Sequence, residues 1–145
     1  MKHVFLMICL MLALSIQVQA AEDNREAVSR TPAEKAFILG EMRKFLEALQ
    51  SINDSLSRHD LASVSEAAEA RGRTRNSPPP GMLPSLKAKE TDTWRQWAQN
   101  VRIGFDTIAA SAKSGEPIER QLALTRDILQ SCTACHATYR IELEP

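Results

Sequence analysis

An all-α chain, folded as an antiparallel up-down-up-down four-helix bundle, is what three observations predict. Apolar residues recur at steps of three and four in four separate segments. Gly is scarce, with 5 in 145 residues, and Ala, Leu, Glu, Arg and Gln outnumber the β-branched types, a mixture that favours helix over strand. The clearest breaks, Pro78-Pro79-Pro80-Gly81 and Ser114-Gly115, separate the segments.

The first helix is expected over 32–58. Thr31-Pro32-Ala33-Glu34 forms a capping box, with Pro32 placed where no amide partner is needed. Ile38, Met42, Phe45, Leu49, Ile52 and Leu56 then make one apolar stripe. Asp60 caps a short second helix, 61–71, with Leu61, Val64, Ala67 and Ala68 inward and Gly72 as its stop. The proline run makes 73–84 a loop that includes Met82. A third helix is expected over 85–112, with Trp94, Trp97, Val101, Phe105, Ile108 and Ala112 inward. Pro117 opens a fourth, 117–142, whose inward face is Ile118, Leu122, Thr125, Leu129, Cys132, His136 and Tyr139. Residues 21–30 are polar and patternless, and no strand is expected.

Lys plus Arg and Asp plus Glu each number 18, for a formal net charge of +0, and 43% of residues are apolar. The balance excludes a nucleic-acid binder held by a basic surface. The apolar content excludes an acidic disordered chain. Residues 1–20 carry the marks of a secretory signal peptide: Lys2 and His3, an apolar core too short to span a bilayer, and small residues in Val18-Gln19-Ala20. Cys9 lies inside that core as a small hydrophobe. Residues 21–145 are then one exported domain without membrane insertion, located most simply in a periplasm. Cys132 and Cys135 are its two cysteines, in an oxidising compartment.

Cys132-Thr133-Ala134-Cys135-His136 is Cys-x-x-Cys-His, the attachment signature of c-type haem. Positions three apart share a helix face, so both sulfurs reach the vinyl groups of one porphyrin. His136 follows as the iron's proximal ligand. Three other chemistries compete. A redox dithiol wants a lowered thiol pKa, as at a helix N-terminus, and these cysteines lie near a C-terminus. Structural zinc needs four ligands, and the fourth on offer is the distant His59. A plain disulfide would leave His136 without a role.

The run extends as Cys132-Thr133-Ala134-Cys135-His136-Ala137-Thr138-Tyr139-Arg140, close to the last residue of the sequence. It resembles the cytochrome c′ family. The resemblance implies one covalent haem c inside the bundle near the end of the last helix. It implies Tyr139 packed beside the porphyrin and Arg140 near the propionates. In five-coordinate members an apolar side chain of the first helix blocks the sixth iron position, whereas low-spin relatives place a Met there. Met42 is the expected sixth ligand, with Ile38 or Phe45 as the blocking residue otherwise and Met82 as a weaker competitor. His136 lies about six residues from the end of the fourth helix, roughly 9 Å, and Met42 about ten from the start of the first, roughly 15 Å.

The expected function is one-electron transfer, with iron held by His136 and Met42 and redox proteins as partners; family members are often homodimers through their first two helices, and the residues here leave the oligomeric state open. The alternative is a five-coordinate protein binding small gases such as NO or CO. Trp94 and Trp97 are expected in the core, and Arg71, Arg73 and Arg75 on a solvated face. No nucleophile–base pair or carboxylate dyad has interpretable spacing, so no enzyme is expected.

Overall fold

Capping residues that the sequence displays set where the helices begin. The structure is a computed structural model and describes residues 22–75 and 78–145; the expected signal peptide, 1–20, lies outside the described residues. In chain order the elements are β1 (Glu26–Arg30), α1 (Pro32–Ser57), α2 (Leu61–Glu69), a single 3-10 turn (Arg73–Arg75), α3 (Met82–Ala88), α4 (Asp92–Lys113), α5 (Ile118–Thr138) and β2 (Tyr139–Leu143). Most described residues are helical, beside a small two-stranded sheet. No helix among them is long and apolar enough to cross a membrane.

The capping box forms as expected: the Glu34 amide donates to Thr31 Oγ1 at 3.2 Å, and the Thr31 amide to Glu34 Oε2 at 2.9 Å. Asp60 caps α2 by accepting from the Ser63 amide at 3.0 Å. Gly72 is not the stop, because α2 ends at Glu69 with Ala70 as its cap. Gly72 instead lets Asp106 come close; a Cβ there would stand 1.9 Å from Asp106 Oδ1.

Three expectations need correction. The third helix is two helices. Thr91 is extended, with φ −71° and ψ 161°, and its hydroxyl accepts from the Trp94 amide at 3.1 Å. That cap restarts the helix, and Met82 opens α3 instead of lying on a loop. The fourth helix stops at Thr138, where Tyr139 turns extended at φ −117° and ψ 147°. Residues 139–143 then pair in parallel with 26–30, the segment expected to be patternless, in the register Glu26↔Tyr139, Val28↔Ile141 and Arg30↔Leu143. Alternation explains it: Val28 and Arg30 point inward from β1 while their neighbours are exposed. Finally, Leu122 and Leu129 are exposed. The buried face of α5 is Gln121, Leu124, Thr125 and Ile128. Gln121 is accommodated because its amide donates to Ser111 Oγ at 2.8 Å.

Helix α2 packs on α1 and α4, and α4 packs closely along α5, whereas α1 and α5 touch at few points. The start of α4 meets the end of α5 at Trp94 and Tyr139, and the end of α4 meets the start of α5 at Ser111 and Gln121. Apolar side chains form two clusters. The larger joins Ala48, Leu49, Ile52 and Leu56 of α1 to Val64 and Ala68 of α2, to α4 from Val101 to Ala112, and to Leu124 and Ile128 of α5. Phe105 sits fully buried at its centre and stacks on Phe45 at 5.6 Å. The smaller joins Val28, Trp94 and Tyr139.

A polar knot holds the end of the molecule where α1 starts. Buried Glu34 accepts from Ser85 Oγ at 2.5 Å and Lys89 Nζ at 2.8 Å. Those bonds, led by Lys89, hold its carboxyl down to about 2. Lys89 also pairs with Glu144 beyond β2.

Glu34→Gln is expected to lower stability at pH 7 by about 1.5–3 kcal/mol, the range for hydrogen bonds to a charged group. A depressed carboxyl stabilises the fold fully above the ordinary value of 4.5 and loses that contribution as pH falls toward about 2. Thermal melts of the wild type and the variant should therefore converge between pH 5 and pH 2. Gly104 faces Ile128, and a Cβ there would stand 2.4 Å from Ile128 Cγ1. Gly104→Val is expected to cost about 1–3 kcal/mol through overpacking, read by urea denaturation.

Candidate functional site

Cys132 and Cys135 lie one turn apart near the end of α5, both half-buried and both free thiols. Their surroundings differ. Cys132 packs against the larger apolar cluster, beside which Phe45 also lies. Cys135 packs against the smaller one, with Trp97 and Ile141. The two sulfurs thus stand at the junction of the two clusters. Burial pushes the Cys132 thiol up, and burial with the neighbouring Cys132 pushes Cys135 up to about 11. Thiols so disposed are apolar groups at neutral pH, unlike the activated thiolate of a redox dithiol.

His136 is exposed and stands two residues from the end of α5, not six as expected. Its carbonyl accepts from Arg25 Nη1 at 3.2 Å. The Phe45–Phe105 stack and the Gly104–Ile128 contact mark one level of the molecule. On α1, Met42 is three residues from that level toward the helix start, about 4.5 Å, and Ile38 seven residues, about 10 Å. On α5, Cys132 is four residues beyond it, about 6 Å, and His136 eight residues, about 12 Å. Met42 is therefore level with Cys132, and Ile38 with His136. Both Ile38 and Met42 are half-buried, and among the described residues neither belongs to either cluster.

Tyr139 is buried, with its ring against the edges of Trp94 at 5.3 Å and Trp97 at 6.0 Å. Its hydroxyl shares a hydrogen bond with Thr91 Oγ1 at 2.7 Å. Both Trp residues thus lie beside Cys135, Trp94 buried and Trp97 half-buried. Arg140, on β2, donates from Nε to the Arg25 carbonyl at 3.1 Å and pairs with Glu142. His59 is exposed in the turn after α1, at φ 58°. Arg73 pairs with Asp106 at 2.8 Å.

Sequence reasoning missed Arg25, Arg30 and Thr91. Arg30 is fully buried over the Trp94 ring, 5.6 Å from its centroid, and Nη1 donates to the Leu86 carbonyl at 3.0 Å. Burial pushes its pKa down, against the pull of Glu90, Glu34 and Glu144. A period-two reading of Glu26-Ala27-Val28-Ser29-Arg30 beside Tyr139-Arg140-Ile141 would have found the strands. Thr91, three residues before the buried Trp94, is a capping signal that a continuous helix conceals.

No group of three or more His, Cys, Asp or Glu side chains among the described residues is placed to hold a metal ion by itself. Comparison with protein-family models, curated proteins and solved structures finds no match. The donor set fits a c-type haem: two accessible thiols on one helical turn, an apolar flank for each, and an adjacent exposed imidazole.

Alkylation of Cys135 in the folded, haem-free chain is expected to accelerate about tenfold per pH unit from pH 7 toward pH 10, as its small thiolate fraction grows. A rate that reaches half its plateau at pH 9, the ordinary thiol value, would contradict the burial described.

Proposed function

We propose that the chain is an exported c-type cytochrome of the cytochrome c′ kind, an antiparallel four-helix bundle carrying one covalent haem and acting as a one-electron carrier. The observation that carries this is the placement of Cys132, Cys135 and His136 in one turn, with both sulfurs half-buried where two apolar clusters meet.

The flanks of α1 and α5 support it. Successive helical residues turn by about 100°. Measured from the buried face of α1, Met42, Leu46 and Leu39 fall on one flank. Measured from that of α5, His136, Leu129 and Leu122 fall on the flank of the same hand. Because Phe45 stacks on Phe105 and Glu34 meets Lys89, α1 runs the same way as α4 and opposite to α5. Flanks of one hand on opposed helices either both face each other or both face away, and Cys132, displaced toward this flank of α5, packs against the cluster that also takes Phe45 of α1, which supports the first arrangement. The four leucines are exposed there, and α1 and α5 touch at few points. A flat apolar group between these helices would cover that surface, with His136 on one side and Met42 on the other.

Bound haem supplies an iron that takes up and returns one electron. Cys132 and Cys135 would hold the macrocycle through thioethers, and His136 would ligate the iron. Helical side chains lean toward their own N-terminus, so His136 and Met42 on opposed helices lean toward each other. That lean narrows the difference in level between His136 and Met42, whose thioether would be the sixth ligand and would raise the potential and close the site. Tyr139, Trp94 and Trp97 exclude water beside Cys135. No substrate is transformed, the partners are redox proteins, and the compartment is the periplasm. A gas-binding protein is the second reading, favoured by the level of Ile38, which stands opposite His136 and would block the iron with an apolar side chain.

Intact mass of the exported protein should show a chain beginning at Ala21 with one covalently added haem, and Cys132→Ala with Cys135→Ala should abolish the addition. The reduced spectrum should be sharp, low-spin and unmoved by carbon monoxide. Met42→Ala should open the site to the gas. Broad high-spin bands in the wild type that shift with carbon monoxide would select the second reading.

A further inference from the structure

We propose that Arg25 is a positioning residue for the imidazole of His136, a role that rests on reading His136 as the iron's ligand. A helix end leaves its last carbonyls without intrahelical donors. In α5 the amide of Arg140, four residues beyond His136, belongs to a strand, and the Arg25 guanidinium reaches the His136 carbonyl from 111 positions away in the chain. Arg25 is itself fixed. Its Nε and Nη2 grip both oxygens of Asp23 at 2.8 and 2.7 Å, and its carbonyl accepts from Arg140 Nε at 3.1 Å.

Two consequences follow for the imidazole. Its backbone is held at the ligand-bearing residue itself, so the ring is presented from a defined position. A positive charge also stands at the negative end of the α5 dipole. Reduction lowers the charge at the iron by one, so a neighbouring cation favours the reduced state and a neighbouring anion the oxidised one. Arg25 and Arg140 act in the first sense, Asp23 and Glu142 in the second, and Asp23 lies 4.0 Å from Arg140.

The test is potentiometric titration of the exported, haem-loaded protein and its Arg25→Gln, Arg25→Lys and Asp23→Asn variants, with circular dichroism to confirm helix content. Arg25 and Asp23 are exposed, so none of these changes touches the core. Arg25→Gln should lower the equilibrium constant for reduction about two- to fivefold, the effect of one charge at a helix terminus. Arg25→Lys should restore most of it, and Asp23→Asn should shift the potential the opposite way. A purely structural tie would move Arg25→Gln and Asp23→Asn in the same direction. That result, or an unchanged potential in Arg25→Gln, overturns the proposal and leaves the haem reading standing. A wild-type chain whose mass shows no haem overturns both.

Discussion

The end of a helix must find donors for its last carbonyls, and α5 has to do so while keeping two thiols and an imidazole in the same turn. Three devices share the task. Tyr139 leaves the helix with its amide still on the Cys135 carbonyl. Thr138 Oγ1 donates back to the Ala134 carbonyl at 3.0 Å. The His136 carbonyl is served from the other end of the chain. The turn is thus satisfied without a Gly cap or continued helix, and the chain is released directly into β2. The placement of Tyr139 against the two tryptophans, and of Cys135 against the cluster that holds Tyr139, follows from that release.

The molecule divides its work between its halves. The end built from α2 and the later part of α1 is an ordinary apolar core, and its buried aliphatic and aromatic side chains each contribute about 1.5–3 kcal/mol by leaving water. The other end is polar at depth. Glu34, Glu41 and Arg30 are all buried there. Glu41 is flanked by Lys44 at 2.9 Å and Arg102 at 3.4 Å. Removing one partner of a buried charge is expensive, whereas the complete set adds little net stability. Such groups fix the arrangement of β1, α3 and the start of α4 more than they strengthen it. The turn that carries Cys132, Cys135 and His136 lies at this end.

Elements with strong local signals were legible in the sequence. Thr31 with Glu34 and Asp60 as a cap are local patterns that appear where read, and the 3-4 stripe of α1 is buried at Leu49, Ile52 and Leu56, whereas Ile38 and Met42 stay outside the apolar clusters. The grouping of Cys132, Cys135 and His136 in one turn was legible because positions three and four apart share a helix face. What escaped were features decided at long range. The strand pair joins residues more than a hundred positions apart, and neither strand has a pattern strong enough to announce itself alone. Reading Tyr139 as helical extended the stripe by one turn and misplaced His136 relative to the helix end. Leu122 and Leu129 looked inward because leucine is the commoner core residue, whereas Gln121 takes the buried place through its bond to Ser111. The break at Thr91 was hidden because capping depends on the conformation of one residue, which apolar spacing on either side does not record.

Parallel pairing of β1 with β2 sets an order in time. Helices and their hairpins involve neighbours in the chain and assemble quickly, whereas ends so widely separated must wait for the whole intervening chain to be made and organised. The ladder is therefore the last piece to close. Until it does, Tyr139 has no strand beside it, Val28 has no ring to cover, and Cys135 lacks the cluster that Val28, Tyr139 and Ile141 complete.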